Sequence, residues 1–176
     1  KSLVYEFSNG NNDLLLSLSK KYKYPFKFSN LTKFKKIKLF QIIGMGGSSL
    51  GAQAIYNFLA DKVKKNFLFT NNITLNKNLK IKEKKFNIII SKSGNTLETL
   101  SNLNSQKIKK NCLFITENKQ SYLRNLAFKL QSEVIDHNNF IGGRYSVLSE
   151  TGMVPAYLMG LDPNKFKQFD NLIKNK

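Results

Sequence analysis

From Lys38 to Ile135 short apolar runs alternate with stretches of helical periodicity, and this rhythm leaves few architectures open. Strands are expected at 39–43, 66–70, 86–90, 112–116 and 133–135, and helices at 49–62, 96–106 and 121–129, with a weak segment through 74–85. Apolar runs separated by helices point to a parallel sheet covered on both faces. In open sheets of that kind ligands gather outside the carboxyl ends of the strands, where the strand order reverses. The residues that follow each apolar run are therefore the ones to read for function.

Two of those strand ends are rich in serine and glycine. The run Ile88-Ile89-Ile90 passes into Ser91-Lys92-Ser93-Gly94-Asn95-Thr96, just before a helix pattern begins. A helix start leaves backbone N–H groups unpaired and carries the positive end of the peptide dipoles, and short hydroxyl side chains add directed donors. This junction is suited to a phosphate, with Lys92 adding either charge or one further backbone N–H. Asn95 is expected to cap the helix from 96, and Glu98 to complete a reciprocal cap rather than to catalyse.

The other junction reads Gly44-Met45-Gly46-Gly47-Ser48-Ser49-Leu50-Gly51. Its glycines permit a sharp turn and close approach to a ligand, and Ser48 or Ser49 is placed to cap the next helix. It overlaps a dinucleotide fingerprint only in part, and no Gly-Lys-Ser/Thr follows to make a Walker loop. A third segment, Ile141-Gly142-Gly143-Arg144-Tyr145-Ser146, sets two glycines before a guanidinium that can stabilise charge developing on substrate oxygens.

Bulk properties remove other readings. The formal net charge of +18 invites nucleic acid, but the basic residues are lysines except for Arg124 and Arg144, and they are spread along the chain rather than gathered in a patch. No specific nucleic-acid partner is expected. No stretch of about 18 apolar residues occurs, and the first residues lack the layout of a signal peptide, so a cytoplasmic protein with no membrane partner is expected. Cys112 is the single cysteine and lies in an apolar run, which points to the core.

Taken together, IGMGGSSLGA (43–52), ISKSGNTLET (90–99) and IGGRYSVLSETG (141–152) resemble the glucose-6-phosphate isomerase family, whose halves are built on the sugar-isomerase, or SIS, fold. The resemblance implies an α/β class, an SIS-type doubly wound parallel sheet of about five strands flanked by helices. The domain is expected at 37–160, and the residues before it, 1–36, read as a polar extension with an apolar cluster at Leu14, Leu15, Leu16 and Leu18 suited to a short helix. A capped amphipathic helix would close the chain at 161–176, opening at Asp162-Pro163 and carrying Phe166, Phe169, Leu172 and Ile173, and would lead toward a second SIS half.

The activity implied is interconversion of D-glucose 6-phosphate and D-fructose 6-phosphate through an enediolate, with no metal and no cofactor. Gly47 and Ser48 match the family's first substrate loop. Ser91, Lys92, Ser93, Gly94, Asn95 and Thr96 match its phosphate loop, while Gly143 and Arg144 match the pair beside the sugar's C1 and C2 oxygens. The family's base is a glutamate, its ring-opening group a histidine, and a lysine assists; all three would come from sequence beyond this stretch. The expected protein is thus a piece of a homodimeric isomerase, inactive alone, the alternative being a self-contained SIS domain that senses a sugar phosphate. Glu150 is expected as a helix-surface variation and His137 in a surface turn, neither in the site.

Overall fold

The computed structural model describes residues 17–73 and 85–167. Within them five strands form one parallel sheet: β1 (Leu39–Ile43), β2 (Asn66–Thr70), β3 (Phe86–Ile90), β4 (Cys112–Glu117) and β5 (Glu133–His137), in the order β2-β1-β3-β4-β5. Four α-helices accompany it: α1 (Leu50–Phe58), α2 (Leu97–Ser105), α3 (Tyr122–Lys129) and α4 (Glu150–Leu158). The expected SIS-type, doubly wound sheet is what forms. The order reverses at β1 and β3, the position beside which open α/β sheets bind their ligands.

Every residue of β1, β3 and β4 is buried, which suits their near-continuous runs of Ile, Phe and Leu. Alternate side chains divide between two cores. Phe40, Ile42, Ile88, Ile90, Leu113, Ile115 and Ile135 face α1 and α4, meeting Ala52, Ile55, Met153, Val154 and Leu158. Ile43, Ile89, Cys112 and Phe114 face α2 and α3 and meet Leu103, Leu123 and Ala127. Each such aliphatic side chain contributes roughly 1.5–3 kcal/mol by leaving water. The first core continues into the leader. There Tyr22, Tyr24, Phe26 and Phe28 pack edge to face in series, and Phe28 lies against Tyr157 of α4 with centroids 5.2 Å apart.

The strands begin where the apolar runs begin, but β4 and β5 run on to Glu117 and His137. Parallel pairing of Thr116 with Asp136 and of Glu117 with His137 carries the ladder past the last apolar residues. The first helix is shorter than expected, ending at Phe58 and giving way to a 3-10 turn at Ala60–Lys62. Helix α4 showed no amphipathic pattern because seven consecutive residues, Glu150 to Ala156, are buried on all sides. Asp162 does cap, accepting from the Asn164 N–H at 3.0 Å, over a 3-10 turn at Pro163–Phe166. The readings that fell on Leu14, Leu15, Leu16, 74–84, Phe169, Leu172 and Ile173 lie outside the described residues.

Replacing Phe114, wholly buried between the sheet and α2–α3, by alanine is expected to cost about 3–5 kcal/mol. The check is a fall in urea midpoint at unchanged slope; an unmoved midpoint would contradict this packing.

Candidate functional site

Gly44 to Ser49 leave the end of β1, turning through a 3-10 segment at Gly46–Ser48. A Cβ at Gly47 would lie 1.9 Å from the Gly143 carbonyl oxygen, so only a glycine lets these two backbones touch. The Ser146 hydroxyl fastens the same contact, donating between the Gly143 carbonyl at 2.7 Å and the Gly47 carbonyl at 3.1 Å. The first and third motifs, almost a hundred residues apart, thus meet over the end of β1. Ser49 is the N-cap of α1 but makes no side-chain capping bond; Ser48 stays half-buried beside it.

On the neighbouring strand, Ser91 to Thr96 form a compact hydroxyl cluster. Thr96 Oγ1 lies 2.8 Å from Ser91 Oγ and 3.4 Å from Ser93 Oγ, while the Gly94 and Asn95 N–H groups donate to Ser91 and Ser93 Oγ, each at 3.2 Å. Gly94 holds the turn at φ +68°, and a Cβ there would strike Ser121 Oγ at 2.2 Å. Ser91 is buried; Ser93 and Thr96 are half-exposed. An arriving anion would find hydroxyls and N–H groups already held together at the start of α2.

Two details of this loop depart from expectation. Helix α2 starts at Leu97 with Thr96 as N-cap and no side-chain capping bond, so neither Asn95 nor Glu98 plays the expected part. Asn95 instead accepts the Tyr122 N–H at 2.8 Å, docking the loop on the start of α3. The Lys92 ammonium reaches the other way, to the Asn139 carbonyl at 2.6 Å and Glu117 Oε1 at 3.5 Å. What Lys92 can turn to a ligand is its backbone N–H rather than its charge, since its carbonyl accepts from the Glu117 N–H and the Thr116 hydroxyl. Burial raises the pKa of Glu117, but Lys119 and Lys92 outweigh that and hold its carboxyl below the usual range.

The third loop runs through Gly142 into a 3-10 segment at Gly143–Leu148. The two arginines differ sharply. Arg124 is consumed structurally, pairing with Asp136 and donating to the Asn118 side chain at 3.0 Å. Arg144 is exposed and has no ion-pair partner among the described residues. A guanidinium so placed is available to an incoming anion.

Glu150 and His137 correct the sequence reading. Glu150 is not on a helix surface: it is 0% exposed at the first position of α4. His137 is not in a surface turn but ends β5 at 3% exposure, with Nδ1 2.8 Å from Glu150 Oε2. The Tyr22 hydroxyl donates to Glu150 Oε1 at 2.5 Å and Asn138 Nδ2 lies 3.4 Å from the same oxygen. Apolar periodicity gave no sign of this, because the carboxylate is buried by partners from distant segments. The Lys167 ammonium, buried over the rings of Tyr22 at 4.0 Å and Tyr24 at 4.4 Å, has a pKa lowered to about 8 by burial, with Glu150 pulling the other way. Burial and Glu150 push both tyrosines up from their ordinary value.

The family profile described as phosphoglucose isomerase matches residues 28–174. Glucose-6-phosphate isomerase of Methanocaldococcus jannaschii is 34% identical over 169 residues, covering 84% of this chain; the chain spans 41% of that relative's length. Among solved structures, hypothetical protein TT0462 from Thermus thermophilus superposes with a TM-score of 0.64 at 21% identity, covering 92% of this chain and 40% of that one. The C-terminal domain of glucosamine-fructose-6-phosphate aminotransferase from Francisella tularensis gives 0.58 at 17% identity, over 98% of this chain and 51% of that one. These two likenesses establish the fold.

Gly47→Ala should cost about 2–3 kcal/mol by forcing the first and third loops apart. Gly142→Ala, whose Cβ would meet nothing nearer than Tyr145 Cδ2 at 3.8 Å, should be close to neutral, and equal thermal midpoints for the two variants would contradict the contact. A second test uses pH. Between pH 8 and 10 the unfolded chain keeps the Lys167 proton that the folded chain has lost, so this residue makes stability rise with pH across the interval. Lys167→Met should flatten that rise in urea midpoint, and an identical slope would contradict the burial.

Proposed function

The chain belongs to the phosphoglucose isomerase family, and we propose that it forms the sugar-phosphate-binding part of a glucose-6-phosphate isomerase. The observation that carries this reading is the convergence of the three loops at the ends of two paired strands: hydroxyls after β3, and after β1 a glycine loop in backbone contact with the segment bearing Arg144. The phosphate of a hexose 6-phosphate would sit on Ser91, Ser93 and Thr96, with the N–H groups of Lys92, Gly94 and Asn95 behind them. A dianion is favoured there by several converging donors and by the start of a nine-residue helix. The sugar chain would then extend toward Gly47, Ser48, Gly143 and Arg144. The name of the Francisella tularensis neighbour, glucosamine-fructose-6-phosphate aminotransferase, accords with such a ligand.

In the isomerisation, a proton moves between C2 and C1 through an enediolate whose oxygens carry negative charge. Arg144 would hold that charge, and because the charge is greatest in the transition state, its effect would fall on turnover more than on binding. Proton transfer needs a positioned base. Glu150 does not qualify, since it is wholly buried and both of its oxygens are engaged. The base, the ring-opening histidine and the assisting lysine are assigned to the remainder of the protein, as in the family, since this chain spans 41% of the length of its Methanocaldococcus jannaschii relative. A domain at 37–160, a second SIS half, a homodimer and a cytoplasmic location complete the reading, and no helix among the described residues is long and apolar enough to cross a membrane.

The test is a coupled isomerase assay on the full-length product of the gene. Arg144→Ala should lower kcat by about 10²-fold or more with little change in KM. Ser93→Ala and Thr96→Ala should each raise KM for D-fructose 6-phosphate by about tenfold, the loss expected for one hydrogen bond to a charged group. Unchanged constants would contradict the assignments, and tight binding of the sugar phosphate without turnover in the unaltered protein would favour the sensor.

A further inference from the structure

We infer that Glu150 is a positioning residue: its carboxylate joins the two ends of the segment that carries Gly143 and Arg144, and so fixes where the guanidinium stands. The inference rests on the role given to Arg144 above. That segment occupies residues 138–149, between the end of β5 and the first residue of α4. At its entry, His137 Nδ1 lies 2.8 Å from Glu150 Oε2 and Asn138 Nδ2 lies 3.4 Å from Oε1. At its exit stands Glu150 itself. One side chain thus closes the loop end to end.

The leader adds a second grip on the same place. The Tyr22 hydroxyl donates to Glu150 Oε1 at 2.5 Å and accepts from Asn138 Nδ2 at 2.6 Å. Two residues on, the Tyr24 hydroxyl donates to the carbonyl of Leu148, next but one before Glu150, at 3.1 Å. The Ser149 hydroxyl in the loop and the Thr151 hydroxyl in the first turn of α4 donate to the Ser146 carbonyl at 2.7 and 2.8 Å, while Ser146 itself holds Gly143 and Gly47. Two hydrogen-bonded groups, joined to each other through the Ser149–Glu150 backbone, therefore lie between the buried carboxylate and the backbone beside Arg144.

A buried carboxylate is costly unless donors surround it, and removing one member of such a set leaves the others unsatisfied in a low dielectric. Glu150 meets that demand only while the loop ends stay together. The arrangement therefore penalises any conformation in which residues 138 and 150 separate, which an apolar residue at 150 would not do. Its position also separates it from chemistry: Glu150 is 0% exposed whereas Arg144 is exposed, so the carboxylate acts through the loop and not on a substrate.

The experiment uses the full-length product of the gene and reads kinetics together with amide hydrogen exchange. Glu150→Ala should lower kcat by about 10- to 100-fold, the scale of a small misplacement of a catalytic group, with KM for D-fructose 6-phosphate within about threefold. Exchange across 138–149 should quicken at least about tenfold while β1 and β3 exchange as before. His137→Ala should behave alike, and His137→Asn, which keeps an N–H near the Nδ1 position, should recover most of the loss. Tyr22→Phe removes one donor and keeps the ring; should Glu150→Ala fail to fold, it carries the test, with a several-fold fall in kcat and faster exchange over the same residues. Unchanged exchange at 138–149, or faster exchange with kcat unaltered, overturns the inference. Faster exchange in a protein that shows no isomerase activity even unaltered supports the tether and overturns the isomerase reading alone.

Discussion

The rest of the structure depends on the burial of β1 and β3 as adjacent parallel strands, covered on both faces. Pairing of Ile43 with Ile89 brings the two strands to the same level, so the loops that follow emerge side by side. A parallel strand cannot turn back as a hairpin; it must leave through a loop into a helix, and the loop is where backbone groups remain unpaired. The apolar packing of Phe40, Ile42, Ile88 and Ile90 against α1 and α4 therefore decides, at one step removed, where an anion can be held.

Onto that frame the third loop is brought by backbone contact on its near side and by charged side chains at its ends. Gly47 and Gly143 touch, Ser146 bridges their carbonyls, and the leader tyrosines hold the far side of the loop through Glu150 and Leu148. The division of labour between the arginines fits this plan. Arg124 is locked by Asp136 on the edge strand β5 and by Asn118 just past β4, while Arg144 is left facing solvent beside the first loop. The general lysine excess plays little part in it, since Lys92 is held by Glu117 and Asn139.

Much of this was legible in the residues. The strands β1 and β3 begin and end where their apolar runs do, because buried parallel strands write their burial directly into sequence, and β2 also fills its expected span although only Phe67 in it is buried. The three motifs could be read because glycine and serine cluster where a backbone must turn or approach. What escaped was decided by long-range partners. Helix α4 is buried on every side, so no period marks it. Glu150 and His137 looked like surface residues because the carboxylate is satisfied by His137, Asn138 and Tyr22, and no local pattern connects Tyr22 or the end of β5 to residue 150. Asn95 has the right chemistry for a cap, but the nearby Tyr122 N–H claims its side chain.

The most direct measurement is a crystal structure of the full-length product with D-fructose 6-phosphate bound. The phosphate density should lie within hydrogen-bond distance of the Ser91, Ser93 and Thr96 hydroxyls, with the sugar oxygens toward Gly143 and Arg144. Density for the phosphate at another surface, with the hydroxyl cluster holding only water, would contradict the assignment of these strand ends to the substrate.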